Sequence, residues 1–411
     1  MRPRLLLITQ WFDPEPTFKG LLFARELVRR GFDVEVVTGF PNYPGGKLYP
    51  GYRMRWLQRE QIDGVLVTRI PLYPSHDHSA IGRALNYLSF AASVIAYGLL
   101  GARKPDVIYA YHPPLTTGLA AAAVRFFRRV PLVYDIQDMW PDTLRATGML
   151  RSDRLLRFLG WLCNVVYRAT DRIVVLSEGF RRLLIARGVP AGKIEVIHNW
   201  ADESAIAAGA DREAVGFPGP GNFRVLFAGN LGRAQALDAV IEAADLLRRR
   251  GERVQFVFLG GGLDVTRLRE LAASRGIDNV VFLPAVPMDT VGAYLKEADA
   301  LLVHLRRDPL FEITIPSKTQ AYLAAGRPVI MAVPGDASAL IQASGGGVLA
   351  EPEDAESICD AVQRLAAMAV DELDAMGRRG KVFYGESLSV CAGVDRFVRC
   401  FENVAGRSSP R

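Results

Sequence analysis

The stretch RVLFAGNLGRAQALD, residues 224–238, runs from a Val/Leu/Phe strand through a glycine turn into a helix start. Gly229 and Gly232 let the backbone approach a ligand, Asn230 lies between them, and Arg233 adds charge where free helix N–H groups attract anions. The unit repeats a style. RLLLIT, DVEVVTG, GVLVTRI, DVIYAY, PLVYDI and DRIVVLS precede it; VQFVFLG, VVFLPA, ALLVHL, RPVIMAV and GGVLAE follow, with longer amphipathic segments between. Continuous apolar runs alternating with helices predict parallel sheets covered on both faces. A chain of 411 residues exceeds what one core serves. The expected fold is α/β, with two doubly wound Rossmann-like domains facing a cleft. Their spans are 1–205 and 223–386, joined by a Gly/Pro-rich linker at 206–222, with a helix at 387–411 packing back on the first domain. Such sheets bind ligands outside the carboxyl ends of their strands, so the loops after strands carry the function.

Composition narrows the class. Half of the residues are hydrophobic and 23% charged, the profile of a soluble globular protein. Cys163, Cys359, Cys391 and Cys400 are scattered with no C-x-x-C, which argues against a disulfide framework or zinc site and suits a reducing cytosol. The first apolar run stops at Gln10 without a small-residue cleavage site, so it reads as a strand. A net charge of +6 fits phosphate-bearing or anionic-surface partners. Nucleic acid is not expected, because no dense basic patch or recognisable module is present. Segment 84–102 is uncharged, but Asn86, Ser89 and Ser93 dilute it, and it reads as a buried helix rather than a membrane span. Segment 151–168 pairs a Leu/Val/aromatic face with Arg151, Arg154, Arg157 and Arg168. It is either a helix lying on an anionic membrane or an ordinary surface helix.

The candidate site residues fall into two groups. In the first half, Asp13 and Glu15 of FDPEP follow a strand and either bind hydroxyl groups or form a solvated acidic turn, with Lys19 close behind. TGFPNYPGGKLYPGY (38–52) is long, stiff and aromatic, and Asn42 and Tyr43 suit sugar stacking or a lipid headgroup. His112 ends a strand and is more often a structural hydrogen-bonder than a base. YDIQDMWPDTL (134–144) puts Gln137, Asp138 and Trp140 at a sheet edge. In the second half, FLGGGLD (258–264) repeats the glycine logic around Gly260. EITIPSKTQAYLAAGRPVI (312–330) places Pro316 in a first helical turn, Ser317 as a cap and Lys318 beside free N–H groups. Two helix N-termini bearing Arg233 and Lys318 would hold a diphosphate without metal. No D-x-D pair is present, and the third glycine of the dinucleotide fingerprint is missing, so neither a metal nor NAD is expected.

FDPEP, TGFPNYPGGKLYPGY, LYPSHDHSAIGRALNYLSFA, DIQDMWPDTL, VIHNWAD, FAGNLGRAQALD and TIPSKTQAYLAAGRPVI span nearly the whole chain. In that order they resemble the retaining glycosyltransferases of family four, of GT-B architecture. More narrowly they resemble the WbuB-like branch that builds bacterial O-antigen, capsule and exopolysaccharide units. The resemblance implies transfer of a hexose or N-acetylhexosamine from a nucleotide sugar, UDP-linked, in the second domain. The implied acceptor is a polyprenyl-diphosphate-linked saccharide in the first domain, handled in the cytoplasm at the inner face of the plasma membrane. It gives Arg233 and Lys318 the departing diphosphate, Glu312 the sugar, Gln320 the ribose and Asp138 the acceptor. Three departures stand out. The family's ribose-binding glutamate is Ala321 here, its diphosphate Arg and Lys align with Asn230 and Gln235, and its histidine after the fifth strand is Gln137. A GT-B-fold UDP-N-acetylglucosamine epimerase and a sugar-nucleotide-binding subunit without catalysis remain as alternatives.

Overall fold

The computed structural model describes residues 2–75, 80–146 and 148–407; positions 76–79, inside LYPSHDHSAIGRALNYLSFA, lie outside the described residues. The chain forms two compact units. Unit 1 comprises Met1–His198 and Gly393–Arg411, and unit 2 comprises Asn199–Ala392.

Unit 1 holds β1 (Arg4–Ile8), β2 (Asp33–Gly39), β3 (Gln58–Ile62), β4 (Val65–Ile70), β5 (Val107–His112), β6 (Leu132–Ile136), β7 (Arg172–Val175) and β8 (Ile194–Val196). Their order is β3-β4-β2-β1-β5-β6-β7-β8. All neighbours are parallel except β3, whose QREQI sequence alternates half-exposed and exposed residues at an antiparallel edge. Leu5 to Ile8 are buried because β1 lies mid-sheet, in register with Val34–Val37 on β2 and Val107–Ala110 on β5. Rings of the C-terminal helix cover one face: Phe397 meets Phe23 at 5.0 Å and Phe401 meets Tyr109 at 5.7 Å. Arg30 fixes that helix by donating to Asp395 at 2.6 Å.

The uncharged segment forms the helix Ala80–Leu100, and it is not wholly buried as expected. Phe90 and Val94 face the core while Ile81 and Leu88 face out, so the helix is two-sided with an apolar outer face. Among the described residues no helix is long and apolar enough to cross a membrane.

Unit 2 holds β9 (Phe223–Ala228), β10 (Val254–Leu259), β11 (Val280–Leu283), β12 (Ala300–His304), β13 (Val329–Ala332) and β14 (Gly347–Leu349). They form one parallel sheet ordered β11-β10-β9-β12-β13-β14, with an apolar core on each face. Strand order reverses between β9 and β12, and a doubly wound sheet opens its ligand crevice at that reversal. Part of the expected linker is in fact structure. Glu203–Gly209 is a helix packed on the helix Met288–Glu297 so closely that a Cβ on Gly209 would lie 3.0 Å from the Asp289 carbonyl oxygen. The division falls instead at 198/199, and the preceding tie is strong: the Tyr384 hydroxyl accepts from Ala201 N–H and donates to Glu203 at 2.9 Å.

Candidate functional site

The turn after β9 is built against the turn after β10. Leu231 N–H donates to the Gly261 carbonyl at 2.8 Å, and Asp264 N–H donates to the Leu231 carbonyl at 3.1 Å. Gly260 (φ +147°) and Gly262 (φ +153°) are required there. A Cβ on the first would overlap the Gly229 carbonyl, and on the second the Leu231 carbonyl. Gln235 steadies the turn by accepting from Gly232 N–H at 3.0 Å, while exposed Asn230 makes only a 3.5 Å contact with Gln235. His304, at the end of β12, clamps it from below. Its Nδ1 pairs with the Gln235 carbonyl at 2.7 Å and its Nε2 accepts from Glu353 N–H at 3.0 Å. Those partners assign the neutral Nδ1–H tautomer, and burial holds the ring's pKa down.

The helix Ser317–Ala325 docks onto this turn. Tyr322 accepts from Ala228 N–H at 2.8 Å, fixing the helix to the last residue of β9. One turn earlier, on the same face, Lys318 places its Nζ 3.4 Å from the Phe227 ring centroid. A Cβ on Gly229 would lie 3.6 Å from that nitrogen, so the missing side chain leaves it room. The Lys318 stem is half-exposed, but its Nζ is buried with no hydrogen-bond partner. Burial pulls its pKa down from 10.5 to about 7.

Two expectations at this helix start are corrected. Pro316 is the N-cap residue rather than part of the first turn, and Ser317 is the exposed first helical residue and caps nothing. Gln320 takes the closing role. It is buried, and in the orientation its neighbours favour, its carboxamide nitrogen donates to the Pro316 and Ser317 carbonyls at 3.0 and 3.1 Å. It is therefore turned into its own helix rather than towards a ribose.

Arg233 is exposed and has no ion pair among the described residues. It lines an open depression of about 360 Å³ with Asp238, Asp264, Arg267, Arg306 and Glu353, and Lys318 does not line that depression. The two cations expected on one ligand therefore stand at different places on the same turn. Glu312 is exposed at the end of the short helix Pro309–Glu312, with its backbone carbonyl against Gly335.

In unit 1 most of the expected ligand contacts are framework. Asp13 accepts from Leu21 N–H at 2.6 Å at the start of the helix Leu21–Arg29. Glu15 is buried and accepts from the N–H groups of Asn42 and Tyr43 at 2.7 Å each and Phe12 at 3.3 Å. Burial pushes its carboxyl up, against those N–H donors and Arg69. It is neither a solvated acid nor a sugar ligand but the anchor of the aromatic loop. Asn42 donates to the Phe40 carbonyl at 2.9 Å, and the Tyr43 ring lies 4.7 Å from that of Trp11. Lys19 is fully buried, 5.1 Å from the Phe397 centroid, and burial lowers it to about 8 against the pull of Asp135. Asp135 in turn accepts from the Tyr109 hydroxyl at 2.6 Å and from Gln137 at 2.5 Å.

Asp138, His112 and Trp140 are different. They lie at the carboxyl ends of β5 and β6, where the His112 ring meets Trp140 edge-on at 5.5 Å. Burial holds His112 neutral, with a pKa of about 3, and its Nδ1 has no partner. Asp138 is half-buried, and burial pushes its carboxyl up.

Residues 21–200 match the Glycosyl transferase 4-like domain and residues 222–368 match Glycosyl transferases group 1. The chain belongs to these glycosyltransferases. It is 29% identical to the colanic acid biosynthesis glycosyl transferase WcaI of Escherichia coli K12, over 77% of this chain and 79% of that protein. The transferase has the GT-B fold of sucrose-phosphate synthase from Thermosynechococcus elongatus, with a TM-score of 0.73 and 16% identity over 99% and 100% of the two chains. HepE of Anabaena, solved with UDP and glucose, superposes with a TM-score of 0.67 and 16% identity over 97% and 99%. Sequence reasoning passed over Phe227, Tyr322 and the clamp role of His304. The spacing of four between Lys318 and Tyr322 was the available signal.

Proposed function

We propose that this transferase moves a hexosyl or N-acetylhexosaminyl group from a UDP-sugar to a saccharide carried on a polyprenyl diphosphate, with retention at the anomeric carbon. The observation that carries this reading is the Lys318 ammonium, buried beside the glycine turn with no acceptor of its own. A diphosphate at that turn gives the cation the anion it lacks. HepE's complexes with UDP and glucose support a UDP donor, and WcaI's role in colanic acid synthesis supports a cell-surface polysaccharide product.

On this reading the reaction breaks the bond between the anomeric carbon and the UDP oxygen, and negative charge gathers on the leaving diphosphate. Lys318 and the backbone N–H groups of the turn stabilise that charge from fixed positions, which is where such catalysis has most effect. The acceptor hydroxyl attacks the face that UDP leaves, and a phosphate oxygen takes its proton, so no protein nucleophile is needed. Arg233 on the neighbouring turn assists the diphosphate, and Glu312 orients the donor sugar. In unit 1, Asp138 orients the acceptor beside the aromatic edge of Trp140. No divalent ion is required for this chemistry. UDP release from a panel of UDP-sugars, measured with EDTA present, with and without a polyprenyl-diphosphate saccharide, tests the reading. Acceptor-dependent release is expected, and an absolute need for magnesium contradicts the metal-free step.

A further inference from the structure

Unit 1 leaves one layer of helices unusually apolar on its outer side. Its sheet steps in one direction through β4, β5, β6 and β7, apart from the excursion to β2 and β1. The crossovers Ala80–Leu100, Leu115–Arg128 and Asp153–Ala169 therefore lie on the same face, because such connections are right-handed. Leu115–Arg128 packs against both of the others. Outward from this layer stand Ile81 (74% exposed), Leu88 (59%), Phe126 (72%), Phe127 (66%), Phe158 (51%) and Trp161 (59%). Phe158 and Trp161 stack on each other at 6.0 Å in the open. Bulky side chains in one exposed layer, drawn from three helices, mark a docking surface rather than scattered surface residues.

We propose that this face is a docking surface for an anionic lipid bilayer; the inference rests on the lipid-linked acceptor of the function proposed above. Charge selects the occupant. Segments 80–104, 115–129 and 145–169 carry eleven arginines and lysines and one acid, Asp153. The whole chain has a net charge of only +6, so the remainder is net acidic and the basic excess is confined to this layer. Asp171 and Asp153 hold Arg125 and Arg145, but Arg151, Arg154, Arg157 and Arg168 are exposed with no ion pair among the described residues. A second copy of the same face would bring like charges together. A lipid surface takes both features: aromatic and aliphatic side chains enter the headgroup boundary while arginines meet the phosphates. The surface is broader than the amphipathic helix at 151–168, since Ala80–Leu100 adds an outer side without acids.

The test is sedimentation of the full chain with vesicles of phosphatidylcholine alone and with about 30% phosphatidylglycerol added. Binding to the anionic vesicles is expected, weakened but not abolished near 0.5 M salt, roughly as screening of the charge contribution alone requires. Phe126→Ser/Phe127→Ser/Trp161→Ser should lower partitioning by about tenfold or more, with thermal melting unchanged because all three side chains are exposed. Brominated lipid should quench a component of the tryptophan emission that Trp161→Phe lacks. Wild-type protein left in the supernatant at low salt, or a triple variant that binds equally well, overturns the proposal. So does self-association that the triple variant abolishes in the absence of vesicle binding. UDP affinity on the same preparations separates the two failures. Intact UDP binding without vesicle binding removes the membrane face alone, and vesicle binding without UDP binding removes the donor reading.

Discussion

The Lys318 ammonium lies 3.4 Å from the centre of the Phe227 ring and has no hydrogen-bond acceptor within reach. A charge taken out of water without a counter-ion is costly, and the aromatic face offsets only about 2 kcal/mol of that cost at best. The site is therefore built for an anion. Lys318→Ala should lower kcat/KM for UDP-sugar by about 100-fold or more, as removal of one fixed donor to a developing charge does elsewhere. The melting temperature should hold or rise, since a buried unpaired cation is removed. Rates of UDP release and a thermal melt check both halves.

The same lysine sets a pH dependence. Folded, it titrates at about 7, against 10.5 for an ordinary lysine. Between those values the unfolded chain holds a proton that the folded chain lacks, so this group makes stability rise with pH across that window. The ligand-free protein should show the rise, and Lys318→Met should flatten it. His304 and Tyr322 are the titratable neighbours; the first is held neutral and the second raised, so neither mimics the effect near neutrality. Phosphate beside Nζ favours the charged form, so UDP binding at about pH 8 should take up close to one proton. Calorimetry in two buffers of different ionisation enthalpy reads that number directly.

Gly262→Ala should disturb the donor turn without touching Lys318. The new Cβ meets the Leu231 carbonyl at a φ of +153°, a conformation that costs a side-chain-bearing residue about 1–3 kcal/mol before the overlap is counted. Lower melting temperature together with weaker UDP binding is expected; unchanged values for both would show that the two glycine turns are not packed as described.

Glu15→Gln should loosen the aromatic loop rather than abolish sugar binding directly. One carboxylate accepts three backbone N–H groups, and an amide can match neither its charge nor all of its acceptor sites. A loss of about 1–3 kcal/mol is expected, with proteolysis appearing first between Phe40 and Tyr52. Denaturant melts and limited digestion check this.

The parallel strands were legible because a strand covered on both faces reads as an unbroken apolar run. β3 was not, since its QREQI sequence is polar at an edge. The glycine turn and Lys318 could be named because Gly and Lys act through local backbone and charge. Glu15, Lys19 and Gln320 misled for the opposite reason. Nothing local marks a charged or amide side chain as buried, and their partners Tyr43, Asp135 and Pro316 are fixed by tertiary packing or by helix geometry. The two-sided character of Ala80–Leu100 was hidden similarly, since an uncharged helix carries no polar stripe to show which side faces out.

Titration of UDP and of uridine into wild type and Lys318→Ala, with EDTA throughout, addresses the phosphate contact most directly. The account predicts uridine affinities that agree within a factor of about two and a UDP affinity at least about tenfold weaker in the variant, one charged contact being worth that much. Equal UDP affinity in the two proteins would contradict it.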